Sequence, residues 1–242
     1  MYVSVWCVPR GALPAWPLPR GVRPLMLRRR CVLLTIWADY QRGGVLEYHE
    51  LLVALAVRHR WRIAATAVSV WVDNQRSKAG GRALWGIPKE CARLVFRHDQ
   101  EGGFRAELTA DADTHAGPGT NRSPGTNGSP GRAPGVRVRG SFRDAVRLPV
   151  RLTLRTRLVQ RAGTDTRHVP LRLTGTVSWG RGRILVAAPA ARPAAALNGR
   201  RPLLSVAVRD FRFTVGRDDG KDGHGGGDRS RSASARGERR GR

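Results

Sequence analysis

Apolar and β-branched residues recur along this chain in short alternating runs rather than at helical spacing. YVSVWCV (residues 2–8), RCVLLTIWADY (30–40) and WRIAATAVSVWVD (61–73) each predict a strand. In the third run Ile63, Ala65, Ala67, Ser69 and Trp71 fall on one side and Val68, Val70 and Val72 on the other, so both faces are expected to be covered. VLEYHELLVALAV (45–57) is ambiguous. Its leucines and alanines suit a helix, while its place between β-branched runs suits a strand, and it is read as a strand or bend at Glu47–Glu50 with room for a helical turn after it.

Further along, ARLVFRH (92–98) and FRAELTAD (104–111) predict a strand pair joined around Gly102–Gly103. VRVRGSF (136–142), VRLPVRLTLRTRLVQ (146–160), VPLRLTGTVSWG (169–180), RILVAAP (183–189) and LLSVAVRDFRFTV (203–215) continue the series. Several alternate Arg with Leu or Val, the pattern of antiparallel strands with one face in solvent. Residues 9–24 are turn-rich in Pro and Gly, and NQRSKAGG (74–81) reads as a polar connection with a short helical turn. The fold class is therefore mostly β, in the α+β sense of carrying a few short helices. One domain is expected over residues 1–216. It is interrupted at about 114–135 by a flexible Ser-Pro-Gly insertion and followed at 217–242 by a disordered polar tail.

Composition narrows the functional classes. With 242 residues, 40% of them hydrophobic, the chain can bury a sizeable core. A formal charge of +26 raises nucleic acid as a partner. The 44 Lys and Arg run through strands and tail alike, however, with no basic helix and no aromatic-interleaved patch, so specific nucleic-acid binding is not expected. Three cysteines (Cys7, Cys31, Cys91) and six scattered histidines give neither a disulfide framework nor metal-ligand spacing, so no metal is expected. No apolar run of membrane-spanning length occurs, and a soluble, cytoplasmic protein is the expectation.

One residue stands out against this bias. Only three lysines accompany the arginines, and Lys89 follows a proline in the apolar stretch GGRALWGIPKE. A cation wanted only for charge would in this chain be Arg. A primary amine can condense with a ketone, which a guanidinium cannot do, provided that burial or a nearby cation lowers its pKa enough to free the lone pair. Leu84, Trp85 and Ile87 are the apolar surroundings on offer, and Pro88 fixes the backbone before the amine. In an extended VLEYHE segment Tyr48 and Glu50 share a face and His49 points away.

GGRALWGIPKECA, preceded about forty residues upstream by the Tyr-x-Glu of VLEYHE, resembles the acetoacetate decarboxylase superfamily. The resemblance is sharpest over residues 30–98. It implies curved antiparallel sheets forming a barrel-like fold, an apolar pocket, assembly into homo-oligomers, and no metal or organic cofactor. It also implies that Lys89 forms a Schiff base with a small keto-acid substrate and that Glu50 exchanges protons with it. Tyr48, Trp85 and Arg82 are the candidate substrate-binding residues, Arg82 with a structural ion-pair role as its competing reading. Acetoacetate decarboxylase is itself a known instance of a lysine activated in this way, so activation of Lys89 is an expectation carried over from that enzyme.

Two departures from the family pattern affect the expected reaction. Family decarboxylases carry a second lysine directly after the first, where this chain has Glu90. They also hold the substrate carboxylate with an arginine just before the first core strand, whose counterpart here falls at or before Met1. Either the start is truncated, another arginine substitutes, or the substrate has no such carboxylate. Three readings follow: a Schiff-base lyase, by decarboxylation or by aldol-type condensation and dehydration; a non-catalytic relative that keeps the pocket for binding; and an Arg-rich nucleic-acid binder.

Overall fold

Strand β1 (Tyr2–Pro9) lies between β4 (Arg30–Tyr40) and β12 (Leu204–Val215), antiparallel to both. In the computed structural model, which describes residues 1–99, 102–111, 135–216 and 233–236, one sheet grows outward from this centre. On one side β4 is followed by β5 (Tyr48–His59) and β6 (Arg62–Val72), each antiparallel to the last, and then by β7 (Lys89–Cys91), parallel to β6. On the other side β12 is followed by β11 (Asp165–Ala187), β10 (Val136–Ala162), β9 (Phe104–Ala110) and β8 (Arg93–His98). Short strands β2 (Val22–Pro24) and β3 (Met26–Leu27) pair with β5 and β4. The helices are α1 (Gln75–Trp85) and short 3-10 turns at Arg10–Ala12 and Pro193–Leu197.

The sheet is curved and barrel-like because β10 serves two neighbours. Its first seven residues, Val136–Phe142, pair with β9, and register shifts against β11 at Asp144/Val146 and Arg147/Arg151 follow. Bulges of this kind bend a strand and increase its twist. Beyond them Leu158 pairs in parallel with Ala65 of β6, and the buried Thr66 hydroxyl donates to Gln160 Oε1 at 2.8 Å. The segments expected at 136–142 and 146–160 are thus one bent strand. Between these two partners the strand stays paired with β11, and Leu152 and Leu154 are exposed rather than facing a core.

Two apolar layers lie on opposite faces of β4–β6. The larger includes Trp6, Leu33, Val53, Leu55, Trp71 and Phe104, and the smaller includes Leu52, Val70, Val72, Ile87, Leu158 and Val169. Covering both faces explains why the ambiguous 45–57 segment forms strand from Tyr48 onward: its leucines alternate between the layers, with no helical turn. The predicted facing of β6 needs correction. Val53 pairs with Ser69 and Ala54 with Ala67, so Val68 is an extra residue, a β-bulge that switches the face. Ala65 and Ala67 consequently share the smaller layer with Val70 and Val72, while Trp71 enters the larger one.

The insertion expected at 114–135 lies outside the described residues except for Gly135. The polar tail does too, save Ala233–Arg236, which pairs with β12 as strand β13. Among the described residues no helix is long and apolar enough to cross a membrane, and no group of three or more His, Cys, Asp or Glu is arranged to hold a metal ion.

Trp71 is completely buried in the larger layer. Trp71→Ala is expected to lower stability by about 3–5 kcal/mol, read from urea unfolding monitored by circular dichroism. A loss below about 1 kcal/mol would contradict the bulged register.

Candidate active site

The segment around Lys89 is built by helix α1 and its two ends. Asn74 caps the N-terminus, its side chain accepting from the backbone N–H groups of Arg76 and Ser77 at 2.9 and 3.1 Å. Gly86 closes the C-terminus in the left-handed region, at φ 65°, and donates to Arg82 O. Ile87 N–H then bonds Gly81 O, and the chain passes through Pro88 into β7. The expected polar connection at 74–81 is therefore a full helix that also takes in GGRALW. Its paired glycines lower the intrinsic helix propensity of the segment, and the caps and packing override them.

Strand pairing brings the reactive groups onto one face. Lys89 is level with Val70 of β6, and Glu50 of β5 is level with Val72, so both side chains emerge over the smaller apolar layer. Lys89 Nζ lies 2.8 Å from Glu50 Oε2, 2.9 Å from Ser77 Oγ of α1 and 3.4 Å from Tyr48 OH. Tyr48 OH is also 3.4 Å from Glu50 Oε2, and Nζ sits 5.0 Å from the centre of the Tyr48 ring. Lys89, Glu50 and Ser77 are all buried. Gly81 makes room for the amine's stem: a Cβ there would lie 2.7 Å from Lys89 Cδ and 2.9 Å from Cε.

The electrostatics of this cluster are coupled. Burial works to lower the Lys89 pKa, but the Glu50 charge, the Tyr48 hydroxyl and the hydrogen bonds from both outweigh it, and the ammonium is held above its ordinary value. Burial, then the Glu50 charge, pushes Tyr48 up to about 12, so its phenol stays protonated. The resting site is a buried ammonium–carboxylate pair beside a neutral phenol.

Of the residues singled out in the sequence, Lys89, Glu50 and Tyr48 come together. Trp85 is half-buried and packs against the same apolar layer as Tyr48 and Val215. Leu84, expected beside the amine, is 54% exposed, because the helix turns it outward; Ile87 does lie in the layer. Arg82 donates from Nε to the Lys89 carbonyl at 2.7 Å, which ties helix to strand through the main chain. Glu90 points to the reverse face, as alternation in a strand requires, and pairs there with Arg192 at 3.1 Å. Sequence reasoning missed Ser77 and Gly81. The Asn-x-x-Ser spacing of a helix cap was the available signal for the first, while the second needed the path of Lys89.

The coupling predicts a direction for Glu50→Gln. With the carboxylate charge gone, burial is left as the dominant influence and the Lys89 pKa falls below the ordinary 10.5. Reductive methylation followed by peptide mass spectrometry across pH measures this, and a half-modification pH that rises instead would refute the coupling. Gly81→Ala should separate the site from the fold. The helix gains up to about 1 kcal/mol in intrinsic propensity, while the new methyl displaces the buried stem. The thermal midpoint should hardly fall, yet the Lys89 half-modification pH should drop as in Glu50→Gln.

Comparison with known proteins bears on the fold in which this arrangement sits. The family model for acetoacetate decarboxylase (ADC) matches residues 18–117, a span that contains both Tyr48–Glu50 and Lys89. No curated protein sequence matches the chain. Among solved structures, an acetoacetate decarboxylase from Legionella pneumophila subsp. pneumophila str. Philadelphia 1 is 14% identical, with 88% of this chain and 83% of that one covered at a TM-score of 0.52. The enduracididine biosynthesis enzyme MppR with HEPES buffer bound is 16% identical over 98% and 83% of the two chains, at a TM-score of 0.53. Another acetoacetate decarboxylase structure is 12% identical over 97% and 83%, at 0.52. Identities this low speak for the fold alone. Taken with the family match across both motif elements, they make this chain similar to acetoacetate decarboxylase over residues 18–117 and alike in fold to the solved members of that family.

Proposed function

We propose that this protein is a Schiff-base-forming lyase that acts on a small keto acid through Lys89. The observation that carries the reading is the buried Lys89–Glu50 pair at 2.8 Å, set in an apolar layer with Ser77 and Tyr48 in reach of the amine. A structural lysine gains nothing from such burial, since desolvating two charges is costly and an apolar pair would pack as well. An amine that must lose and regain a proton does need its acceptor at hydrogen-bond distance.

The steps follow from that proton. Lys89 passes it across to Glu50, and the freed lone pair attacks the substrate carbonyl carbon. Glu50 returns that proton to the oxygen and a second passes from nitrogen to oxygen by way of the Tyr48 hydroxyl, so that the carbinolamine loses its oxygen as water and leaves a protonated imine on Nζ, with Glu50 ionised and Tyr48 neutral. In a β-keto acid the bond to the carboxylate then breaks, carbon dioxide leaves, and the bonding pair moves toward the iminium nitrogen, giving an enamine. Glu50, reprotonated from solvent, protonates the enamine carbon, and hydrolysis of the resulting iminium by water releases the ketone and restores the ammonium. General acid–base help of this kind contributes roughly 10²–10⁴-fold.

A second reading, condensation and dehydration of a 2-keto acid on the same imine, is favoured by Glu90. Its side chain is turned to Arg192, so no second amine adjoins Lys89 as in the family decarboxylases. In line with this, MppR has been crystallised with pyruvate and with the condensation product of pyruvate and imidazole 4-carboxaldehyde.

Borohydride trapping tests the proposal. Incubation with acetoacetate or pyruvate followed by reduction should leave a stable adduct on Lys89, absent in Lys89→Arg and formed roughly 10²-fold more slowly in Glu50→Gln. Carbon dioxide release from acetoacetate assigns the first reading. Deuterium exchange into the pyruvate methyl group without carbon dioxide release assigns the second. Failure to find a Lys89 adduct with any keto acid would overturn both.

A further inference from the structure

His49 stands between Tyr48 and Glu50 on β5, and its side chain leaves the sheet on the face opposite the amine. There it meets two carboxylates. Its Nδ1 is 2.6 Å from Asp73 Oδ2, its backbone N–H donates to Asp73 Oδ1 at 2.8 Å, and Nε2 is 3.5 Å from Asp39 Oδ1 of β4. The ring stacks on Phe96 of β8, with centroids 4.5 Å apart. Asp39 Oδ2 in turn lies 3.1 Å from His98 Nε2 of β8 and accepts from Gln41 at 2.6 Å, and His98 Nδ1 is 3.2 Å from Tyr2 OH of β1. The charged and titratable groups around His49 are therefore Asp73 beyond β6, Asp39 on β4, His98 on β8 and Tyr2 on β1. Glu47 precedes it on its own segment, and Glu50 and Tyr48 lie across the sheet.

Asp73 is the hinge of the amine's frame. It follows Val72, the residue level with Glu50, and precedes Asn74, the cap of the helix that carries Ser77 and Gly81. The Asp73 N–H also bonds the His49 carbonyl at 3.4 Å. The His49–Asp73 pair thus joins the strand that bears one partner of Lys89 to the start of the helix that bears another.

We infer that His49 is a positioning residue: its imidazolium, clamped between Asp73 and Asp39, holds Glu50 and Ser77 on Lys89 and makes the amine's surroundings depend on the charge of the His49 ring. The catalytic part of this rests on the proposed function of Lys89. The hydrogen bond to Asp73 raises the His49 pKa above 6.5; burial opposes this, and the charges of Asp73, Asp39 and Glu47 reinforce it. The sign follows by linkage. The clamp is complete below about 6.5, the unfolded-chain value, and is lost as pH rises through the higher folded value. A neutral ring keeps its bond to Asp73 but loses the charge attraction to Asp39.

The test uses Lys89 itself as reporter, aided by the presence of only two other lysines, Lys78 and Lys221. Reductive methylation across pH should show the Lys89 half-modification pH falling by roughly one unit in His49→Gln and in the near-isosteric Asp73→Asn, because a loosened Glu50 no longer offsets burial. Both variants are first checked for native circular dichroism. In the wild type, the keto-acid trapping rate should inflect at the pH where nuclear magnetic resonance shows the His49 ring titrating. That inflection should vanish in both variants, with a roughly ten- to a hundredfold slower rate at low pH. An unchanged half-modification pH in the folded variants, or a trapping profile indifferent to the His49 titration, overturns the inference. If no keto acid is trapped while the methylation shift stands, the proposed function fails and the positioning role holds.

Discussion

Burying an ammonium is costly, and the burial of Lys89 organises much of this molecule around it. A lone cation in that layer would shed its proton, whereas the Glu50 carboxylate at 2.8 Å keeps the charged form favourable. Because Glu50 and Lys89 hang from different strands with β6 between them, the pair requires all three strands in register. It also requires a helix whose first turn supplies the Ser77 hydroxyl and whose second leaves the Lys89 stem a path past Gly81. The returning halves of β10 and β11 complete the burial by placing Leu158 and Val169 over the same face.

That pair gives several irregularities a purpose. The Val68 bulge lets Ala65 and Ala67, at the barrel-closing end of β6, and Val70 and Val72, at the amine end, all face one layer, while Trp71 still fills the other. Without the extra residue, alternation would put either Trp71 or the two alanines on the wrong side. In β10 the register shifts against β11 fall after the stretch paired with β9 and before the residue that reaches β6. Arg82, exposed on α1, directs its hydrogen bond to the Lys89 carbonyl and so fixes the strand from which the amine extends.

Strands were legible in the sequence wherever alternation and β-branching agreed, as in β1, β4, β8, β9 and β12. The expectation that Glu50 works with Lys89 came from the resemblance carried by the Tyr-x-Glu and Gly-Ile-Pro-Lys elements, while alternation by itself showed only that an extended segment projects Tyr48 and Glu50 together. What stayed hidden depends on contacts between segments far apart. Nothing in WRIAATAVSVWVD marks Val68 as the bulged residue, since every position there is acceptable in a strand. Helix α1 was obscured by Gly80 and Gly81, of which Gly81 is explained by a side chain eight residues away. The His49–Asp73 pair joins residues 24 positions apart, which the sequence leaves as two unremarkable polar groups.

The position of Glu90 bears on how such an amine can be activated. A neighbouring lysine would lower the pKa of Lys89 by repulsion, leaving free amine at rest. Here the adjacent side chain is an anion, but it is bonded to Arg192 on the reverse face, and the nearby charge felt by Nζ is that of Glu50. The site therefore stores the proton rather than expelling it. Under the proposed function the reactive form arises by transfer within a hydrogen bond, and the same carboxyl, reprotonated from solvent after dehydration, delivers the proton that the enamine needs. Activation by a stored proton costs more at the attack step than activation by repulsion, because the ion pair must first be neutralised. That cost is offset at the later step, where a carbon atom needs a proton in a place that water reaches poorly. Under the proposed function, an arrangement of this kind suits chemistry governed by what happens to the enamine, and in that respect Glu50, more than Glu90, would set the outcome after the imine has formed.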